Sequence, residues 1–129
     1  MSAARIGWVF LAGGLGSAAR FAIGTFALER FGGVFPYGTL AVNLIGSALL
    51  AALIHVSLAT SAVSTDLRIT LGAGFLGGFT TYSAFSQETF AYLQDGAWAI
   101  GAGYVALTVL GCLLACLLGY GAARWLVGG

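Results

Sequence analysis

Charge divides this chain more sharply than any other feature. No Asp, Glu, Lys or Arg occurs between Arg30 and Asp66, between Arg68 and Glu88, or between Asp95 and Arg124. Each run can supply the roughly 20 apolar residues that cross a bilayer as a helix. The first apolar run, Ile6 to Leu28, is interrupted only by Arg20. The chain is 60% hydrophobic and 7% charged, whereas soluble domains average about 45–50% apolar and about 25% charged residues. In lipid a helix is favoured because it satisfies its backbone hydrogen bonds within one segment. The expected class is therefore an all-α integral membrane protein.

The pattern predicts four transmembrane helices near 4–29, 36–60, 67–94 and 97–126, in one domain spanning residues 1–129. Pro36 suits the first turn of the second helix, where its missing N–H is not needed. Thr60-Ser61 and Ser64-Thr65 mark the second loop, and Asp95-Gly96 the third. Arg5, the apolar run after it and Ser17-Ala18-Ala19 also have the form of a cleaved leader. Three further spans and no soluble domain to export favour a retained first helix.

Four crossings place both ends of the chain on one side. That side would hold Arg5, Arg68 and Arg124, against Arg30 on the other and Arg20 part-way in. So weak a positive-inside bias permits insertion in both directions. Four short helices enclose a pathway poorly, so a homodimer is expected, and dual topology would allow an antiparallel one. A net charge of +1 without a basic run gives no reason to expect nucleic acid as a partner.

Polar groups inside these spans need protein or a water-filled path around them. The segment from Gly72 to Glu88, GAGFLGGFTTYSAFSQE, concentrates them. Gly77-Gly78 before Thr80-Thr81 is where the third helix would break most easily. Thr39, Asn43 and Ser47 recur at steps of four on helix two, as do Tyr104, Thr108 and Cys112 on helix four, so each set shares a face. With Thr80, Thr81, Ser83, Ser86 and Glu88 they would make a ladder of donors across the membrane. The bland reading is hydrogen bonding between helices or to their own backbone.

Arg20 should reach a water-filled mouth or pair with Glu88. His55 reads as an interfacial side chain. Tyr82 and Phe85, three apart, share a face, and a ring edge is positive, so such an edge could replace water around a small anion without trapping it. Cys112 and Cys116 have no second cluster with which to hold a metal and read as packing residues; alternatively Cys112 stands in for a small polar group on a pore face.

Three segments carry a family resemblance: GSAAR (Gly16–Arg20), GTLAVNLIG (Gly38–Gly46) and GFLGGFTTYSAFSQE (Gly74–Glu88). They resemble the signatures of the Fluc fluoride channels, also called CrcB proteins, and the likeness extends over all four helices. The resemblance implies an antiparallel, dual-topology homodimer in the bacterial inner membrane, with helix three broken near its middle. Each dimer would hold two pores that pass fluoride down its gradient and reject chloride. By this likeness Asn43, Tyr82 and Phe85 line the anion path, and Thr39, Ser83, Glu88, Tyr104 and Thr108 form a polar track along it. Arg20 would sit at the vestibule. Backbone carbonyls of Gly77 and Thr80 from both subunits would surround a buried structural sodium ion. Two positions depart from the family pattern: Tyr82 stands where Phe is usual, and Cys112 where Ser is expected.

The expected function is thus a passive fluoride channel that relieves fluoride toxicity. No nucleotide motif, paired catalytic carboxylates or nucleophile–base set suggests an enzyme. The alternative is a proton-coupled exporter of the small multidrug resistance type. Such proteins depend on a glutamate embedded in helix one, whereas here that helix holds Arg20, and its only acid, Glu29, lies at the loop. A weaker third reading is a scaffold subunit without transport.

Overall fold

Two long helices packed along each other form the backbone of the structure, a computed structural model that describes residues 2–129. These are α2 (Tyr37–Ala59) and α6 (Trp98–Val127), the most extensively paired elements in the molecule. A side-chain carbon at Gly119 of α6 would overlap the Ala48 carbonyl of α2. Here the missing Cβ lets the backbones touch, as small residues do between membrane helices. On the other flank, α1 (Ala3–Phe31) packs against the middle of the chain, where Gly16 meets the Phe75 carbonyl in the same way.

No strand occurs among the described residues, and α1, α2 and α6 are long and apolar enough to cross a membrane. Their outward surfaces are apolar: Phe10, Phe21, Leu110 and Leu117 are all exposed. Such a surface suits lipid and is unsuited to water. The chain is a multi-pass helical membrane protein.

Segment 65–94, expected as a helix over 67–94 broken near its middle, consists of several pieces. It runs through α3 (Thr65–Ile69), a π-helical stretch (Thr70–Leu76), α4 (Gly77–Phe79) and α5 (Tyr82–Gln94). Thr80 and Thr81 between α4 and α5 are extended, with ψ of 160° and 118°. The interruption therefore falls just after the Gly77-Gly78 pair. Both glycines remain helical, and Gly78 serves close packing: a side chain there would strike the Gly13 backbone of α1.

Local chemistry sets the element ends. Ser2 caps α1 by accepting from the Arg5 N–H, and Ser64 caps α3 by accepting from the Leu67 N–H. Each thereby satisfies an amide that a helix start leaves unpaired. Gly32, at φ 78°, ends α1. Pro36 stands one residue before the first turn of α2, in the capping position and not within the helix. Arg5 and Asp66 form an ion pair, Nη2 to Oδ1 2.7 Å, tying the start of α1 to the start of α3.

Candidate functional site: a cleft at the interrupted helix

The interruption leaves backbone groups that the chain must satisfy far from its ends. Asn43, on α2 and 8% exposed, does this for Thr81. Its Nδ2 donates to the Thr81 carbonyl at 3.0 Å, and its Oδ1 accepts from the Thr81 N–H at 2.8 Å. A backbone N–H can only donate, so this pairing fixes the orientation of the amide. Thr81 in turn caps α5, its hydroxyl accepting from the Ala84 N–H at 3.1 Å. The Thr80 hydroxyl closes the preceding helix by donating to the Leu76 carbonyl at 3.0 Å.

These bonds divert two amides from their helical acceptors. In an unbroken helix the Thr81 N–H would bond Gly77 O, and the Ala84 N–H would bond Thr80 O. Here both amides are taken elsewhere. Among the described residues, neither carbonyl has a hydrogen-bond donor. Both residues line the same cavity as Asn43.

That cavity encloses about 360 Å³ between α2, the interrupted segment and α6. Asn43, Ser47, Tyr82, Phe85, Thr108 and Cys112 line it. Phe85 is buried while Tyr82 is 80% exposed, and their rings meet edge to face, 5.6 Å apart at 67°. Thr108 and Cys112 of α6 thus share this space with Asn43 and Ser47 of α2. Ser83 lies outside the cavity, its exposed hydroxyl 3.2 Å from that of Thr81.

A second polar cluster adjoins the first. Glu88 of α5 accepts from Thr39 of α2 at 2.6 Å on one oxygen and from Tyr104 of α6 at 2.7 Å on the other. The carboxyl thus joins three elements. Tyr104 is fully buried, and its ring lies 5.2 Å from Phe85 at 63°. Phe85 therefore stands between the cavity and the Glu88 cluster. The Phe35 ring also meets Tyr104 edge to face, with centroids 5.4 Å apart, a contact that no sequence periodicity signals.

Arg20 does not pair with Glu88. Its Nε donates to the Gly78 carbonyl at 3.0 Å, and the Ser17 hydroxyl reaches the same oxygen at 3.4 Å. The reason is positional: α1 packs against α4 and the π-helical stretch, whereas Glu88 turns toward α2 and α6. The C-terminal end of a helix offers unpaired carbonyls and a partial negative charge, which suit a guanidinium. Ser17 escaped the sequence reading as a partner, although it stands three residues before Arg20 and so on the same helical face.

A helical membrane protein with an interrupted inner segment and a cleft that sets polar side chains among apolar ones is the class these features define. Residues 7–120 match the family model described as CrcB-like protein, Camphor Resistance (CrcB), and the chain belongs to that family. It is 50% identical over 125 residues to a fluoride-specific ion channel FluC of Anaeromyxobacter dehalogenans, covering 97% of this chain and 99% of that one. A protein of the same name from Sorangium cellulosum is 46% identical over 122 residues, 95% of this chain and 96% of the relative. Another, from Chloroflexus aurantiacus, is 38% identical over 120 residues, 93% and 95% respectively.

Proposed function

We propose that this protein is a passive, fluoride-selective channel of the bacterial inner membrane, exporting fluoride down its electrochemical gradient. The observation that carries the proposal is the cavity wall, which brings Asn43, Ser47 and Phe85 to one space. Hydroxyl and amide donors with a ring edge can replace the water around a small anion, while no Lys or Arg lines the cavity to trap it. The names of the relatives, matched over nearly the whole chain, support fluoride as that anion. Thr39, Glu88 and Tyr104 continue the polar track beyond Phe85, Tyr82 and Ser83 stand at its rim, and Arg20 serves the vestibule.

In this reading segment 65–94 is the fourth crossing, interrupted at Thr80-Thr81. Two copies assemble antiparallel, each dimer carrying two pores. The freed carbonyls of Gly77 and Thr80 support a structural sodium site, because hard cations bind oxygen donors. One chain offers two such oxygens, and a two-fold axis through the site would double the set. A sodium ion held there would lower the cost of bringing an anion into a low-dielectric interior.

The test is fluoride efflux from liposomes holding the purified protein, followed with a fluoride electrode and a chloride control. Rapid efflux that needs only a counter-ion shunt supports the channel. Efflux that requires a proton gradient, or equal passage of chloride, overturns it.

A further inference from the structure

The loop between α1 and α2, residues 32–36, borders the Glu88 cluster. Two recesses of about 300 Å³ each flank it, and Glu88, Gly33 and Pro36 line both. Val34 lines one recess and the adjacent Phe35 the other, so the loop passes between them as a strap beside the carboxyl. Phe35 is the part of the strap that meets the cluster, through its edge contact with Tyr104.

Little holds this strap down. It begins at Gly32, whose φ of 78° and ψ of 179° essentially only glycine adopts, and Gly33 follows. The N–H groups of Gly33, Val34 and Phe35 find no acceptor among the described residues. Among those residues a single side-chain hydrogen bond reaches the strap: the Tyr92 hydroxyl of α5 donates to the Val34 carbonyl at 2.5 Å. That bond is exposed, so water competes for both partners and its net contribution is modest. A segment with few backbone bonds and one exposed latch is drawn from the low-stability end of a fold.

We propose that the 32–36 loop is a strap across the mouth of the conduction path at Glu88, and that the Tyr92 hydroxyl is the positioning group that holds it down. This inference rests on the channel reading above. With the latch made, Phe35 stays against Tyr104 and the two recesses remain separate. With the latch released, the strap swings on Gly32 and Gly33, as hinges at the ends of elements do. The recesses then merge, and Glu88 faces a wider opening. An ion leaving the Glu88 cluster passes fewer apolar groups before it regains water.

The experiment compares Tyr92→Phe, which keeps the ring and removes the latch, with the parent protein in proteoliposomes. Tyr37→Phe, which takes a hydroxyl from an exposed residue beside the same loop, is the control. One sample is assayed for fluoride efflux. A second is treated with a water-soluble carbodiimide and an amine, and labelling of Glu88 is read by peptide mass. Asp66, paired with Arg5 at the other end of α1, is the internal reference. Loss of one exposed hydrogen bond should speed Glu88 labelling by about twofold to fivefold. Fluoride efflux should rise with it, by about twofold or more, and Tyr37→Phe should change neither. Faster labelling with efflux unchanged or lower would overturn the strap as a control on flow while leaving the channel intact. Unchanged labelling would show that Tyr92 is no latch, and an equal response from Tyr37→Phe would overturn the inference too. Parent vesicles that pass no fluoride would sink the channel reading and this one together, even where labelling responds to Tyr92→Phe.

Discussion

Asn43 holds both backbone polar atoms of Thr81, donating to its carbonyl and accepting from its N–H across the gap between α2 and the interrupted segment. One side chain thereby does for Thr81 what a neighbouring turn of helix does elsewhere. The same pairing frees the Gly77 carbonyl and sets the position of Phe85, which follows one turn into α5. Structure and proposed conduction meet at this contact, which makes it the first place to test.

Asn43→Asp keeps the acceptor for the Thr81 N–H and replaces the donor to its carbonyl with an oxygen. The lost donor should cost about 1–3 kcal/mol, lowering the thermal transition in detergent. Added negative charge in the cavity should also cut fluoride efflux at least about tenfold. Undiminished efflux would remove Asn43 from the path.

Phe85→Ile keeps an apolar side chain of smaller size but removes the ring edge between the cavity and Tyr104. Repacking should cost about 1–3 kcal/mol, leaving a folded protein by size-exclusion profile. Fluoride efflux should nearly vanish. A variant that conducts normally would show that the ring is packing alone.

Tyr82→Phe removes a hydroxyl from a ring that is mostly exposed. Fold and flux should stay within about twofold of the parent, since surface changes of this kind usually alter stability by less than ~0.5 kcal/mol. Loss of the folded protein or of efflux would give the hydroxyl a role that its exposure does not suggest.

Glu88→Gln retains one carbonyl acceptor where two donors, Thr39 and Tyr104, now converge on two oxygens. One donor loses its acceptor, and the fully buried Tyr104 is the costlier one to strand. A loss of about 1–3 kcal/mol is expected, measured by chemical denaturation in detergent, together with slower efflux. Unchanged stability would mean that the cluster does not join the three elements as drawn.

Gly119→Ala places a carbon against the Ala48 backbone, where no flexible side chain can move aside. Forcing α6 from α2 should cost about 1–3 kcal/mol and lower the yield of folded protein. Gly121→Ala, which meets open space, is the matched control and should be neutral. Equal behaviour of the two variants would contradict the close approach at Gly119.

The polar faces of α2 and α6 were legible because period and spacing suffice for them. Thr39, Asn43 and Ser47 share a face at steps of four whatever surrounds them, and so do Tyr104, Thr108 and Cys112. The π-helical stretch was not legible, since its hydrogen-bond shift leaves no periodic mark over 7 residues. Nor was the partner of Arg20, because charge alone points to Glu88 while only packing shows that α1 meets the Gly78 carbonyl instead.

By itself the sequence determined an all-helical membrane protein and the composition of its polar faces. Bilayer burial requires long charge-free runs, and helical geometry maps spacing onto faces. The tertiary structure decided where the third segment opens. Gly77-Gly78 had the freedom to break, but the pair stays helical, with Gly78 packed closely on α1. The interruption falls at Thr80-Thr81, where the hydroxyls cap both helix ends and the Asn43 amide lies within reach. Local flexibility permits a break at several residues, and only a partner from another helix makes one of them cheap.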